Sequence, residues 1–127
     1  MFFHMYEEPD YAIQCIANDW KVHYFPQLTI RHHLSGAGRN EIRNHHRHAR
    51  NEFWSVIIRC PLPYCMPILM YRMFSQARYA FSRGPNWLFQ EPVWWWQALK
   101  SFPRALQRRQ PLKWDGYWAW LRHPSIV

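Results

Sequence analysis

Three carboxylates stand close together near the start of this 127-residue chain: Glu7, Glu8 and Asp10, in the stretch YEEPDYAIQCIANDW. With Asp19 they make up half of the eight acidic residues in a chain that carries 16 Lys and Arg. Pro9 suits the first position of a helix, where its missing N–H costs nothing, and Ile13, Ile16, Ala17 and Trp20 follow at helical spacing. Glu8 and Asp10 then sit at the positive end of that helix. The free N–H groups and the helix dipole favour their charged forms, so they can accept a proton or bind a cation. The same residues also serve as ordinary helix-start acids, and spacing alone does not separate the two roles.

Other chemistries find less support. Eight His and three Cys raise the question of zinc. Cys60 and Cys65 are separated by a Pro-broken segment, however, and His45, His46 and His48 lack a second ligand pair at finger-like distance. Cys15 lies within a helical pattern and Cys60 in an apolar turn, neither beside an evident base, which argues against a thiol nucleophile. No glycine loop of the phosphate-cradling type occurs.

The elements that must position the acids follow in order. Residues 21–31, KVHYFPQLTIR, alternate apolar and polar side chains around Pro26, which predicts an edge strand, and His32 and His33 close it. Ser35, Gly36 and Gly38 make a turn. Residues 39–59 give the strongest helical pattern: Ile42, His46, Ala49, Phe53 and Val56 form one stripe, and Arg43, Arg47, Arg50 and Trp54 form a neighbouring basic one. Such a helix suits either a packed core or a membrane surface. After the Pro-rich turn at 60–67, Met70, Met73, Phe74, Ala77 and Phe81 share a face that predicts core, and Arg83, Gly84 and Pro85 end the helix. Trp94, Trp95 and Trp96 follow, then the basic run 104–109, and Trp114, Trp118 and Trp120 near the end.

A net charge of +8 and an aromatic content of 19% point to an anionic partner. Trp and Tyr mixed with Arg and Lys suit a membrane interface, where rings lie at headgroup depth and cations meet lipid phosphates. Nucleic acid is disfavoured as a partner, because no recognised helix, finger or sheet motif accompanies the charge. No run of about 18 residues is free of charge, so no simple spanning helix is expected. Residues 53–74 come nearest and contain Arg59, Arg72 and three prolines. The odd cysteine count and the lack of a basic, then apolar, leader before the acidic turn favour a reducing, cytoplasmic setting.

Taken together, three segments resemble the C-terminal part of a family 2 glycosyltransferase of the bacterial rhamnosyltransferase-like kind. FFHMYEEPDYAIQCIANDW is similar to that family's aromatic residues, acidic pair, spacer and Asp opening a helix. VHYFPQLTIRHH is similar to its strand, proline and closing His. ARNEFW, with Arg59 and Pro61 after it, is similar to its Arg-Asn helix. The resemblance implies an α+β fragment: residues 1–38 as the end of a GT-A-like α/β domain, with a short helix and an edge strand, and residues 39–127 as a mainly helical, membrane-interfacial region.

It further implies that Glu8, the second acid of the pair, is the general base that deprotonates an acceptor hydroxyl as it attacks a sugar's anomeric carbon with inversion. Glu7 and Asp10 count with it as catalytic residues, Arg50, Asn51 and Trp54 as substrate-binding residues, and His32 as the residue near the metal and diphosphate. The complete enzyme would use a divalent cation, Mg or Mn, a nucleotide-sugar and a lipid-linked or polysaccharide acceptor, at the cytoplasmic face of the inner membrane as a peripheral protein. The chain departs from the family pattern at Gln14, where Arg is usual, at Asp19, where Gly is usual, and at Glu8, where Asp is commoner. No metal-binding Asp-x-Asp occurs in the 127 residues. The expectation is therefore a chain inactive by itself and without a cofactor: a truncated gene product, the result of a misassigned start, or one piece of a split protein completed by a separate N-terminal half. The competing class is a small basic membrane-surface or nucleic-acid-binding protein without catalysis.

Overall fold

A computed structural model describes residues 5–21, 23, 25–29, 31 and 40–122. Six helices follow one another: α1 Glu7–Ala17, α2 Glu41–Arg59, α3 Cys65–Arg83, α4 Pro85–Lys100, α5 Phe102–Gln107 and α6 Trp114–Arg122. No strand occurs among the described residues, so the α+β expectation is corrected to an all-helical arrangement. The segment expected as an edge strand turns at Pro26 and Gln27, with Leu28 N–H donating to the Phe25 carbonyl at 3.0 Å. The reason is the lack of a partner: a strand is stable only against a neighbour, and alternation cannot supply one. Phe25 and Leu28 accordingly remain exposed.

The centre of the fold is α2. Its start is capped by the Asn40 side chain, which accepts from Arg43 N–H at 2.9 Å. Every residue from Asn51 to Ile58 is buried, because α3, α4 and α5 pack around it and α1 reaches it through side chains. The two stripes read from the sequence therefore merge, and Trp54, expected at the end of a basic surface face, lies inside with its indole N–H on the Ala98 carbonyl at 3.3 Å. The orphan carbonyls at the end of α2 are met by the segment after α5. Gln110 and Leu112 N–H donate to Ile58 and Arg59 carbonyls at 3.0 and 2.9 Å, and the Arg109 guanidinium donates to the Ile57 and Cys60 carbonyls. Part of the basic run is thus a helix cap.

Gly84, with φ 114°, ends α3, and Pro85 opens α4 at once. In α3 the buried side is Cys65, Leu69 and Ala80, with Ile68 and Met73 packed beside them. Met70, Phe74 and Phe81 are exposed, so the core face lies about a quarter turn from the stripe read in the sequence. Trp94 fills the core from α4, while Tyr117 and Trp120 of α6 pack with Ile13 of α1 in the same cluster. No described helix is long and apolar enough to cross a membrane.

Candidate functional site

Glu7 and Glu8 occupy the first turn of α1, both exposed. Tyr6 precedes them with φ 76° and makes no side-chain cap, so the Glu7 and Glu8 carboxylates stand at an uncapped positive helix end. Met5 shares that left-handed conformation, also at φ 76°; two successive non-glycine residues in this region are strained. The turn is held by Asn51, whose side-chain N–H donates to the Met5 carbonyl at 2.6 Å. Burial, followed by the nearby Glu52, pushes the Tyr6 phenol far above its ordinary value, so the ring stays protonated and packs edge-on against His48 at 5.2 Å.

Asp10 has a different environment from its two neighbours. Its carboxylate is buried and accepts from Arg59 Nε at 3.1 Å and Nη2 at 3.2 Å, from Gln14 Nε2 at 2.9 Å and from Ser55 Oγ at 3.5 Å. A bidentate guanidinium pair of this kind fixes orientation as well as distance. Asp10 is therefore the clamp that seats α1 on α2, whereas Glu7 and Glu8 both remain exposed.

The three residues that the resemblance implies for substrate binding lie together on α2. Arg50 stacks over Trp54 at 4.7 Å and donates twice to Asn51 Oδ1, at 3.2 and 3.1 Å. Asn51 is fully buried and Trp54 nearly so, and Arg50 alone of the three keeps partial exposure. Their contacts hold the Met5–Tyr6 turn and the α2–α4 interface. His32 lies outside the described residues. Among those residues no group of three or more His, Cys, Asp or Glu is placed to hold a metal ion. The three cysteines are free and buried, and burial, with Cys65 beside it, pushes the Cys60 thiol up to about 11, which makes it a poor nucleophile.

Sequence reasoning missed a polar cluster between α2 and α4. Glu91, 1% exposed, joins His45 Nε2 at 2.7 Å and accepts from the Trp94 indole N–H at 2.8 Å. Glu52 likewise pairs with Arg72 at 3.2 Å and accepts from Gln76 at 2.6 Å. Separations of 46 and 24 residues leave no local motif to find. Beside these pairs, the α2, α3 and α4 helices border an open cleft of about 530 Å³, lined by Tyr79, Trp87, His45 and Met5 among others. Compared with protein-family models, curated proteins and solved structures, the chain finds no match.

Proposed function

We propose that this chain is the acceptor-side part of an inverting glycosyltransferase, with Glu8 as the base. Glu8 takes the proton from an acceptor hydroxyl while that oxygen forms its bond to the anomeric carbon and the nucleotide diphosphate leaves. A carboxylate suffices because the hydroxyl proton becomes acidic only as the new bond forms. One observation carries the reading. The acidic turn and the Arg-Asn helix, two of the three segments behind the resemblance, are joined through Asp10 to Arg59 and Asn51 to Met5, which leaves Glu8 exposed on a fixed helix start.

Among the described residues no group of His, Cys, Asp or Glu fits a divalent-cation site. Donor and cation belong to the nucleotide-sugar half.

A separate observation favours a membrane-surface placement. Met66, Met70, Phe74 and Phe81 form an exposed row on α3 with Arg78 within it, and Phe89, Trp96 and Leu99 form another on α4, next to Lys100. Large exposed apolar side chains beside cations suit an anionic bilayer interface, where apolar groups enter the headgroup region and cations meet lipid phosphates. That surface would serve equally in a non-catalytic membrane-surface protein, so catalysis must be tested at Glu8.

Calorimetry of the isolated chain with nucleotide-sugars is expected to show no saturable binding, and micromolar binding would overturn the division of labour proposed. In an enzyme reconstituted with the donor half, Glu8→Gln is expected to lower turnover by about 10²–10⁴-fold while sparing donor binding. Unchanged turnover would remove Glu8 as the base.

A further inference from the structure

We infer that the outer face of α3 holds a seat for the phosphate of an anionic phospholipid, with Arg78 as its cation. The inference deepens the membrane-surface placement proposed above and rests on it, while catalysis at Glu8 plays no part in it.

The three arginines of α3 differ in their partners. Arg72 pairs with Glu52 at 3.2 Å and Arg83 with Glu41 at 2.6 Å, so a carboxylate already meets each guanidinium. Arg78 is exposed and makes no ion pair, hydrogen bond or ring contact among the described residues. Nor does α3 carry an Asp or Glu that could turn toward it. A free cation on a helix without acids favours an anion from outside the chain.

The surroundings of Arg78 suit a phosphate in particular. It lines an open hollow of about 480 Å³ together with Tyr71, Ser75, Phe74 and Phe81. Helical spacing puts Tyr71 and Ser75 on one side of Arg78 and the two Phe on the other. The Tyr71 and Ser75 hydroxyls make no hydrogen bond among the described residues, so both are free to donate. Ser82, also on the lining, is not, because its hydroxyl donates to the Tyr79 carbonyl at 2.7 Å. A guanidinium fork and two hydroxyls satisfy the non-ester oxygens of a phosphate, which a Lys would meet only as a point charge.

The apolar neighbours decide which phosphate. Phe74 and Phe81 are 67% and 71% exposed, and with Met66 and Met70 they run along α3 for about 22 Å. Free phosphate would leave this row in water. A phospholipid brings its phosphate attached to acyl chains, so one ligand answers both the cation and the row beside it. Single-stranded nucleic acid fits less well: it presents a phosphate at every nucleotide and is held by several cations, whereas α3 offers one free arginine.

The test is sedimentation of the full chain with phosphatidylcholine vesicles containing phosphatidylglycerol. Arg78→Lys keeps the net charge but loses the fork, and is expected to weaken binding about tenfold. Tyr71→Phe and Ser75→Ala are expected to weaken it in the same direction with the melting temperature unchanged, since both positions are exposed. The same Arg-to-Lys change at Arg108, exposed after α5, should leave binding as in the wild type. Inorganic phosphate and a single-stranded oligonucleotide serve as soluble competitors, and neither is expected to displace the vesicles at equal phosphate concentration. Equal binding by Arg78→Lys and wild type would mean diffuse attraction to the surface, overturning the seat but leaving the membrane placement intact. Displacement by inorganic phosphate or by the oligonucleotide would assign the face to that ligand and overturn the lipid. A wild-type chain that binds no vesicle overturns seat and placement together.

Discussion

Asp10 and Arg59, 49 positions apart, meet through two hydrogen bonds of 3.1 and 3.2 Å with both side chains largely shut off from water. Removing one member leaves the other charge buried without its partner, which is far costlier than losing an exposed pair. Asp10→Ala is expected to destabilise the fold by about 3–5 kcal/mol in urea titration. Glu8→Ala, two residues earlier but exposed, is expected to change stability by about 0.5 kcal/mol or less. Equal costs at the two positions would mean that the acids share one role and that the clamp is misassigned.

His46 is buried, and its Nε2 has no hydrogen-bond partner among the described residues. Burial, then the neighbouring His45, holds its pKa below the ordinary 6.5. The unfolded chain therefore takes up a proton at a higher pH than the folded one. The stability associated with the neutral ring is complete above 6.5 and is lost as pH falls from there through the folded-state value. His48 shifts in the same direction for the same first cause. His46→Leu is expected to raise stability by about 1 kcal/mol by removing an unsatisfied buried nitrogen, and to flatten the pH dependence below 6.5. Urea midpoints across that range decide it; an unchanged slope would contradict the assignment.

The exposed rows on α3 and α4 predict flotation with liposomes of anionic lipid. Salt at 1 M cuts the screening length to about 3 Å and should release the protein only in part, since apolar insertion adds to the charge term. Phe74 and Phe81, 67% and 71% exposed, can be changed to Ser with little effect on folding, and the double variant is expected to lose the salt-resistant fraction. A wild-type chain that stays in solution would end the interfacial placement.

Residues that act through neighbours in the chain were legible, and those that act across it were not. The long helix through residue 59 and the stop at Gly84–Pro85 follow from local caps and periodicity, whereas α1 opens at Glu7, two residues before the start that Pro9 predicts and without a side-chain cap. The edge strand at 21–31 failed because alternation of side chains describes half of a pairing, and the other half is absent among the described residues. The core face of α3 was misplaced because Met and Phe carry no address: Leu69 and Ala80 won the interior where α2 and α4 close on them, and the larger Phe74 and Phe81 were left outside.

The candidate site divides along the same line. Sequence alone determined that carboxylates gather at a helix start and that the chain is basic and rich in aromatics, since composition and the first helical turn are local properties. Only the tertiary structure decided that Asp10 is a clamp while Glu7 and Glu8 stay exposed, that Asn51 and Trp54 face inward, and that Asn44, Tyr79 and Trp87 share a cleft. Burial and partner choice separate otherwise similar side chains, and both are set by which helices pack together.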